Sequence, residues 1–149
     1  MAWTNILDIP GVVSITGADD FVVADRALTT TGPASGAETQ LYLNFETLPS
    51  PVFLRIHAEL VGGSSPYGYR VAAPSCSPIY VCGWYIGDYG DASADLPSRE
   101  VASGVSVGVG DGDGAHWHEG SVSLWIEIDY AAPPPSLFWT RNVTCREVL

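Results

Sequence analysis

Apolar side chains recur at every second position in three stretches of the chain, at 39–47, 52–60 and 121–130. In the last of these, Val122, Leu124, Ile126 and Ile128 alternate with mostly polar residues. Because successive side chains of a β-strand point to opposite faces, this period predicts strands with one buried and one solvated face. Such strands are stable only when their apolar faces pack against a second layer. The alternation therefore predicts an all-β fold.

Shorter segments add weaker strand signals at 12–16, 21–24, 69–73, 79–86, 101–109 and 137–145. Glycines and prolines occupy the gaps between them, and the link 49–51 is short enough to join neighbouring antiparallel strands. No segment has a helical stripe, and 92–100 allows at most one turn before Pro97. The expected fold is a single antiparallel β-sandwich domain over 1–149. A jelly-roll-like topology is the first choice and an immunoglobulin-like topology the second.

The composition indicates a compact domain and narrows the range of partners. Apolar residues make up 46% of the 149 residues and charged residues only 15%, which argues against intrinsic disorder. Six arginines, no lysines and 17 acidic residues give a net charge of −11, and such a surface repels phosphate backbones. No apolar run could span a bilayer, and no positive charge precedes Arg26. We therefore expect no nucleic-acid partner, no membrane partner and no secretion by a signal peptide.

The chain has three cysteines, Cys76, Cys82 and Cys145, and no Cys-x-x-Cys pair. A bridge between Cys76 and Cys82 is conceivable. The odd number, together with the expected cytoplasmic synthesis, favours free buried thiols instead.

The segment 108–120 contains the chemically most capable side chains of the sequence. Asp111, Asp113, His116 and His118 are candidate metal ligands, because carboxylates and imidazoles bind divalent cations; Glu119 follows them. The alternative is a polar hairpin tip between the predicted strands 101–109 and 122–130, since Asp-Gly dipeptides favour tight turns. The hairpin is the preferred interpretation. No cofactor and no catalytic residue are expected.

Gly110, His116 and His118 resemble the opening of the first cupin motif, in which a glycine precedes a His-x-His pair. The resemblance implies a metal-dependent enzyme on a β-barrel, with both imidazoles on one face of a strand. His57, on the polar face of the predicted strand 52–60, is the candidate third ligand. The positions at which the motif has its glutamate hold valine and serine here, and its closing glycine and second half are missing. A cupin-like enzyme is therefore only the third hypothesis.

Aromatic residues are concentrated in the middle of the chain. Exposed rings at the edge of a sandwich can stack on sugar rings or anchor a protein interface, and Tyr85, Tyr89 and Trp117 are candidates for one such rim. The preferred alternative buries Trp84 and several tyrosines in the core. Trp125 lies on the polar face of its strand, which predicts that another strand, a loop or a subunit covers it.

The apolar segment 1–13, which includes Trp3, is either the first strand or an arm on a neighbouring subunit. The small all-β domain, its low charge and its lack of a catalytic set resemble small β-sandwich structural proteins of tailed-virus (bacteriophage) particles. Capsid decoration proteins, head or tail fittings and fibre domains are examples.

This resemblance implies a non-enzymatic virion protein that is made in the host cytoplasm. Its partners would be copies of itself, in a homo-oligomer, or other virion proteins, with Trp3 and Trp125 as anchors. The alternative is a carbohydrate- or receptor-binding module that uses Tyr85, Tyr89 and Trp117.

Overall fold

A computed structural model describes residues 3–9, 13–74 and 76–130, and its regular structure is almost entirely β. The strands are β1 (Thr4–Asn5), β2 (Ser14–Thr16), β3 (Phe21–Ala24), β4 (Ala27–Thr30), β5 (Glu38–Asn44), β6 (Val52–Ala72), β7 (Trp84–Val101), β8 (Gly104–Asp111) and β9 (Ser121–Tyr130). A 3-10 turn (Ile6–Asp8) follows β1, and the one-turn helix α1 (Ile79–Cys82) precedes β7. Within the described ranges, no helix is both long and apolar enough to cross a membrane.

All the strands belong to one antiparallel sheet with the order β2-β5-β8-β6-β9-β4-β3, to which β1 adds on β9 and β7 on β6. Strand β6, 21 residues long, joins the two halves. Its residues 52–61 pair with β9, whereas residues 69–72 pair with β8. Strand β7 pairs with β6 along both of these parts, so the β6–β7 pair belongs to both halves and the sheet curls over on itself. The predicted all-β, antiparallel sandwich class is confirmed.

The apolar positions of the alternating stretches form the core between the two halves. Val122, Leu124, Ile126 and Ile128 of β9 are at most 1% exposed. They belong to one cluster with the buried side chains of β5, β6 and β8. Burial of each such large side chain contributes roughly 1.5–3 kcal/mol. The three alternating stretches supply half of the buried residues of this cluster.

Two predicted connections between neighbouring strands are wrong, because in each case a third strand lies between the two. The link 49–51 does not join neighbouring strands, because β8 lies between β5 and β6. The segment 112–120, here called the crossover loop, is not a hairpin tip, because β6 lies between β8 and β9. Strand β6 takes this central place because it is long enough to pair with both of them.

Two local predictions also differ from the structure. The segment 79–86 is not one strand, because Ile79 is fully buried in α1, directly against Gly108 and Gly110, before β7 begins at Trp84. The segment 92–100 is not a helical turn but part of β7. Its register against β6 shifts where Pro97 occurs, and such a bulge accommodates a proline that cannot donate to the sheet.

The described part of the N-terminal segment packs on its own chain. β1 pairs with β9, and Ile6 and Ile9 enter the core. Residues 3–9 therefore form a short strand and a 3-10 turn on their own sandwich, and the arm on a neighbouring subunit stays an untested alternative for the rest of 1–13. The predicted strand 137–145, and Cys145 with it, lie outside the described residues.

Cys76 and Cys82 form a disulfide, so the prediction of free thiols is wrong for these two residues. The turn of α1 brings their Cα atoms to 6.3 Å, within the range that a disulfide spans. Spacing along the chain could not show this, because the short distance depends on the helical turn between the two residues.

Candidate functional site

Asp111, the last residue of β8, directly precedes the crossover loop, and its side chain is fully buried. One carboxylate oxygen accepts hydrogen bonds from the Ser65 hydroxyl at 2.7 Å and the Asp113 N–H at 2.9 Å. The other accepts the backbone N–H and the ring Nδ1 of His118, both at 2.8 Å. Burial opposes ionisation of this carboxyl, but the four hydrogen bonds outweigh it and hold the pKa of Asp111 below its ordinary value. Asp111 therefore anchors the loop and has no free oxygen to offer a cation.

Asp113, His116 and His118 converge in front of this anchor. Asp113 Oδ2 lies 2.9 Å from His116 Nδ1 and 3.6 Å from His118 Nε2. One potential ligand atom from each of the three residues lies within 4.8 Å of the others. The structure thus brings all four candidate ligands together, with Asp111 behind the other three.

The arrangement that the cupin resemblance implies does not form among the described residues. His116 and His118 lie in the crossover loop and not on a strand. His57, the suggested third ligand, lies on β6, where its ring contacts Asp95 and Glu59 at 2.8 and 3.0 Å. The cluster is therefore a loop site that has no equivalent of the cupin ligand set.

Trp117 packs onto the core and not on the expected rim. Its indole lies 5.3 Å from the ring of the buried Tyr69, and its Nε1–H donates to the Gly120 carbonyl at 3.2 Å. A Cβ at Gly32 would come within 2.4 Å of this indole, so only glycine leaves room for it. Trp117 therefore fastens the crossover loop to the sandwich.

The tyrosine patch, formed by Tyr67, Tyr85 and Tyr89, is exposed, with 48–65% of each residue accessible. The Tyr85 hydroxyl donates to Asp88 at 2.8 Å, and this hydrogen bond raises the pKa of Tyr85. The expectation that Trp84 and several tyrosines fill the core is wrong. Trp84 is exposed, and Tyr69 is the one fully buried tyrosine in the part of the chain that the structure describes.

A groove of about 340 Å³ crosses the outer face of the sandwich, where β7, β6 and β9 lie side by side. The register of the strands brings its polar side chains together. Arg55 lies opposite Glu127, and His57 lies between Asp95 and Trp125. The lining residues are Arg55, Ile56, His57, Asp95, Leu96, Pro97, Ser98 and Glu127.

Two partly exposed indoles lie beside this groove and touch its charged residues. The Arg55 guanidinium lies 4.3 Å from the centre of the Trp3 ring and donates from Nε to Glu127 at 2.8 Å. Trp125 is covered on one side by the His57 ring at 5.7 Å. The cover predicted for Trp125 therefore comes at least in part from the neighbouring strand.

Hydrogen bonds hold the His57 ring in place within the groove. Its contacts with Glu59 first and Asp95 second outweigh burial and raise the pKa of His57 above its ordinary value. The protonated ring can donate from both nitrogens, one to each carboxylate. The groove therefore presents preset donors and acceptors, two of which contact the neighbouring indoles.

The sequence indicates Trp3 and Trp125 as candidate contact residues but gives no signal for Arg55, Asp95 and Glu127. They lie on three different strands, β6, β7 and β9, and none of them has a distinctive neighbour in the sequence. Only the register of β6 against β7 and β9 shows that these three residues lie side by side, and the sequence does not reveal that β6 pairs with β7.

No protein-family model matches the chain, and no curated protein matches it in sequence. Among solved structures it is similar to a mutant of the family 29 carbohydrate-binding module CBM29-2, with a TM-score of 0.47, 12% identity, and coverage of 90% of this chain and 100% of that one. A second mutant of a family 29 module has a TM-score of 0.46 at 12% identity, with 85% and 89% coverage.

A chitosan-binding module from a chitosanase/glucanase of Paenibacillus sp. IK-5 has a TM-score of 0.39 at 13% identity, with 85% and 98% coverage. Similarity at this level carries no functional assignment.

Proposed function

We propose that the protein is a non-catalytic module that binds a glycan in the outer groove. The observation that carries this proposal is the placement of Trp3 and Trp125 beside an open groove lined by the Arg55–Glu127 and His57–Asp95 pairs. A cavity of about 340 Å³ falls within the usual size range of small-ligand sites.

The chemistry of the groove suits a sugar. Indole rings offer flat apolar surfaces on which the C–H face of a sugar ring stacks. Arg55 supplies donors, and Glu127 and Asp95 supply acceptors for hydroxyl groups. Because these side chains already hold each other, binding immobilises few additional rotamers, which lowers its entropic cost.

Charge narrows the class of glycan. The chain has a net charge of −11, and Asp95, Glu59 and Glu127 lie in or beside the groove. Sulfated and uronic-acid glycans would therefore be repelled. The proposed ligands of the groove are therefore neutral glycans or glycans that contain amino sugars.

The test is a glycan array, followed by calorimetry on each binder with Trp125→Ala. We expect neutral or amino-sugar oligosaccharides to bind, and the variant to lower the affinity about 10-fold or more, the loss expected when a stacking aromatic is truncated. Trp84→Ala is the matched control, because Trp84 is an exposed indole at the start of β7, opposite Val71 and away from the part of β6 that lines the groove. Thermal unfolding confirms that both variants fold.

Three outcomes contradict the proposal: no binding on the array, binding of acidic glycans alone, or equal losses for Trp125→Ala and Trp84→Ala. The last result would place a real glycan site elsewhere, with the tyrosine patch as the next surface to test.

A second proposal, from another class of function, is assembly into a virion. Its support is the edge strand β3, whose Val22 and Val23 are 68% and 57% exposed. An open edge with apolar side chains can pair with a further chain. Light scattering tests this: we expect an oligomer that Val23→Lys converts to smaller species, and a stable monomer at all concentrations would contradict assembly into a homo-oligomer.

A further inference from the structure

We infer that Asp113, His116 and His118 form a binding site for a first-row divalent transition metal of the zinc class. This site is separate from the outer groove and does not depend on glycan binding. It rests on the convergence of two imidazoles and one carboxylate in the crossover loop.

The buried Asp111 determines which nitrogen of His118 is free to bind. Both oxygens of Asp111 accept hydrogen bonds, so the His118 Nδ1 that lies 2.8 Å away must be the donor. In the neutral ring the lone pair is then on Nε2, which points toward Asp113 at 3.6 Å. A carboxylate that orients a histidine in this way is a recurring second layer of protein metal sites.

The spacing of the three ligand atoms fits a small ion. Ligand atoms about 2.0–2.2 Å from a tetrahedral zinc ion lie roughly 3.3–3.5 Å from each other. Asp113 Oδ2 is 2.9 Å from His116 Nδ1 and 3.6 Å from His118 Nε2, and all three atoms lie within 4.8 Å. Since the His116 side chain is 66% exposed, it can adjust its rotamer without disturbing the core.

Both histidines lie within ion-pair distance of the same Asp113 oxygen, at 2.9 Å for His116 Nδ1 and 3.6 Å for His118 Nε2, and their ring centroids are 4.5 Å apart. A single ion at this point would contact all three residues, which a pairwise contact does not do. Two imidazoles and one carboxylate favour zinc, copper or nickel over calcium and magnesium, which prefer sites built from oxygen. Three protein ligands leave one position for water or for an added ligand.

The expected consequence is stabilisation of the crossover loop. The loop is fastened at its start by Asp111 and near its end by Trp117. A metal held between Asp113, His116 and His118 would join its middle to the same anchor. Because the metal binds only the folded arrangement, it should raise the melting temperature.

The experiment titrates Zn²⁺ into the chelator-treated full chain, prepared without a histidine tag, and measures both calorimetry and thermal unfolding. We expect one ion per chain, micromolar affinity or tighter, and a rise in Tm of roughly 5–10 °C at 100 times Kd. Ca²⁺ and Mg²⁺ should have no comparable effect. Co²⁺ should give the visible absorption bands of a low-symmetry site with nitrogen and oxygen ligands.

His116→Ala and His57→Ala form a matched pair, because both replace a partly exposed histidine and only one removes a ligand. We expect His116→Ala to lose at least 10-fold in zinc affinity while its Tm in chelator equals that of the unmodified chain, and His57→Ala to bind zinc normally. An affinity weaker than micromolar in the unmodified chain, or the same affinity in both variants, would overturn the site.

Discussion

Asp111→Ala is expected to destabilise the folded protein by about 3–5 kcal/mol, the usual cost of removing one partner from a buried charged network. The buried carboxylate accepts four hydrogen bonds, and the substitution leaves the Ser65 hydroxyl, two backbone N–H groups and the His118 ring without their acceptor. The difference in the free energy of unfolding would be measured by urea denaturation, with tryptophan fluorescence as the signal.

Two variants separate the causes of this loss. Asp113→Ala, measured like Asp111→Ala in a metal-free buffer, is the matched control: among the described residues its carboxylate contacts the two histidine rings, one of them exposed, and we expect a loss of less than about 1 kcal/mol. Asp111→Asn keeps one acceptor oxygen but turns an amide donor toward the His118 N–H, so its cost should be intermediate. If Asp111→Ala were as mild as Asp113→Ala, the anchoring role of Asp111 would be wrong.

Gly112→Ala is expected to cost about 2–3 kcal/mol, at the upper end for overpacking a tight contact. An added Cβ would lie 2.2 Å from the Tyr67 carbonyl oxygen, a backbone atom that cannot rotate away. The close contact between Gly112 and this part of β6 also allows the Gly112 N–H to donate to the Gly68 carbonyl at 2.7 Å. The methyl group would therefore push the start of the crossover loop away from β6.

Gly90→Ala is the control for this substitution. Gly90 has a φ of +74° and nothing within 4 Å of an added Cβ, so alanine there costs only backbone strain, about 1 kcal/mol. Gly112 has no such positive φ, so its cost is purely steric. Equal melting temperatures for the two variants would contradict the close contact between the loop and β6.

The two candidate sites differ in how visible they are in the sequence. The ligands of the crossover loop lie within a few consecutive residues, so their types alone nominated them. The outer groove combines Arg55, Asp95 and Glu127 from three strands, and nothing in any single stretch connects them. Even among these candidate ligands, the sequence could not show which one is buried and which ones are free to bind a metal. Asp111 is a buried anchor because Ser65, 46 residues away in the sequence, donates a hydrogen bond to it.

What the sequence by itself determined was the buried face of the three long alternating stretches, which form β5, β6 and β9. Period-two alternation is local, and Val122, Leu124, Ile126 and Ile128 face the core as it predicts. What only the tertiary structure decided was the partner of each strand. Strand β6 is long enough to pair with β9 at one end and β8 at the other, and it separates the two strands that the hairpin interpretation joined. Pairing depends on which apolar faces fit together across the whole core, and no single stretch of sequence contains that information.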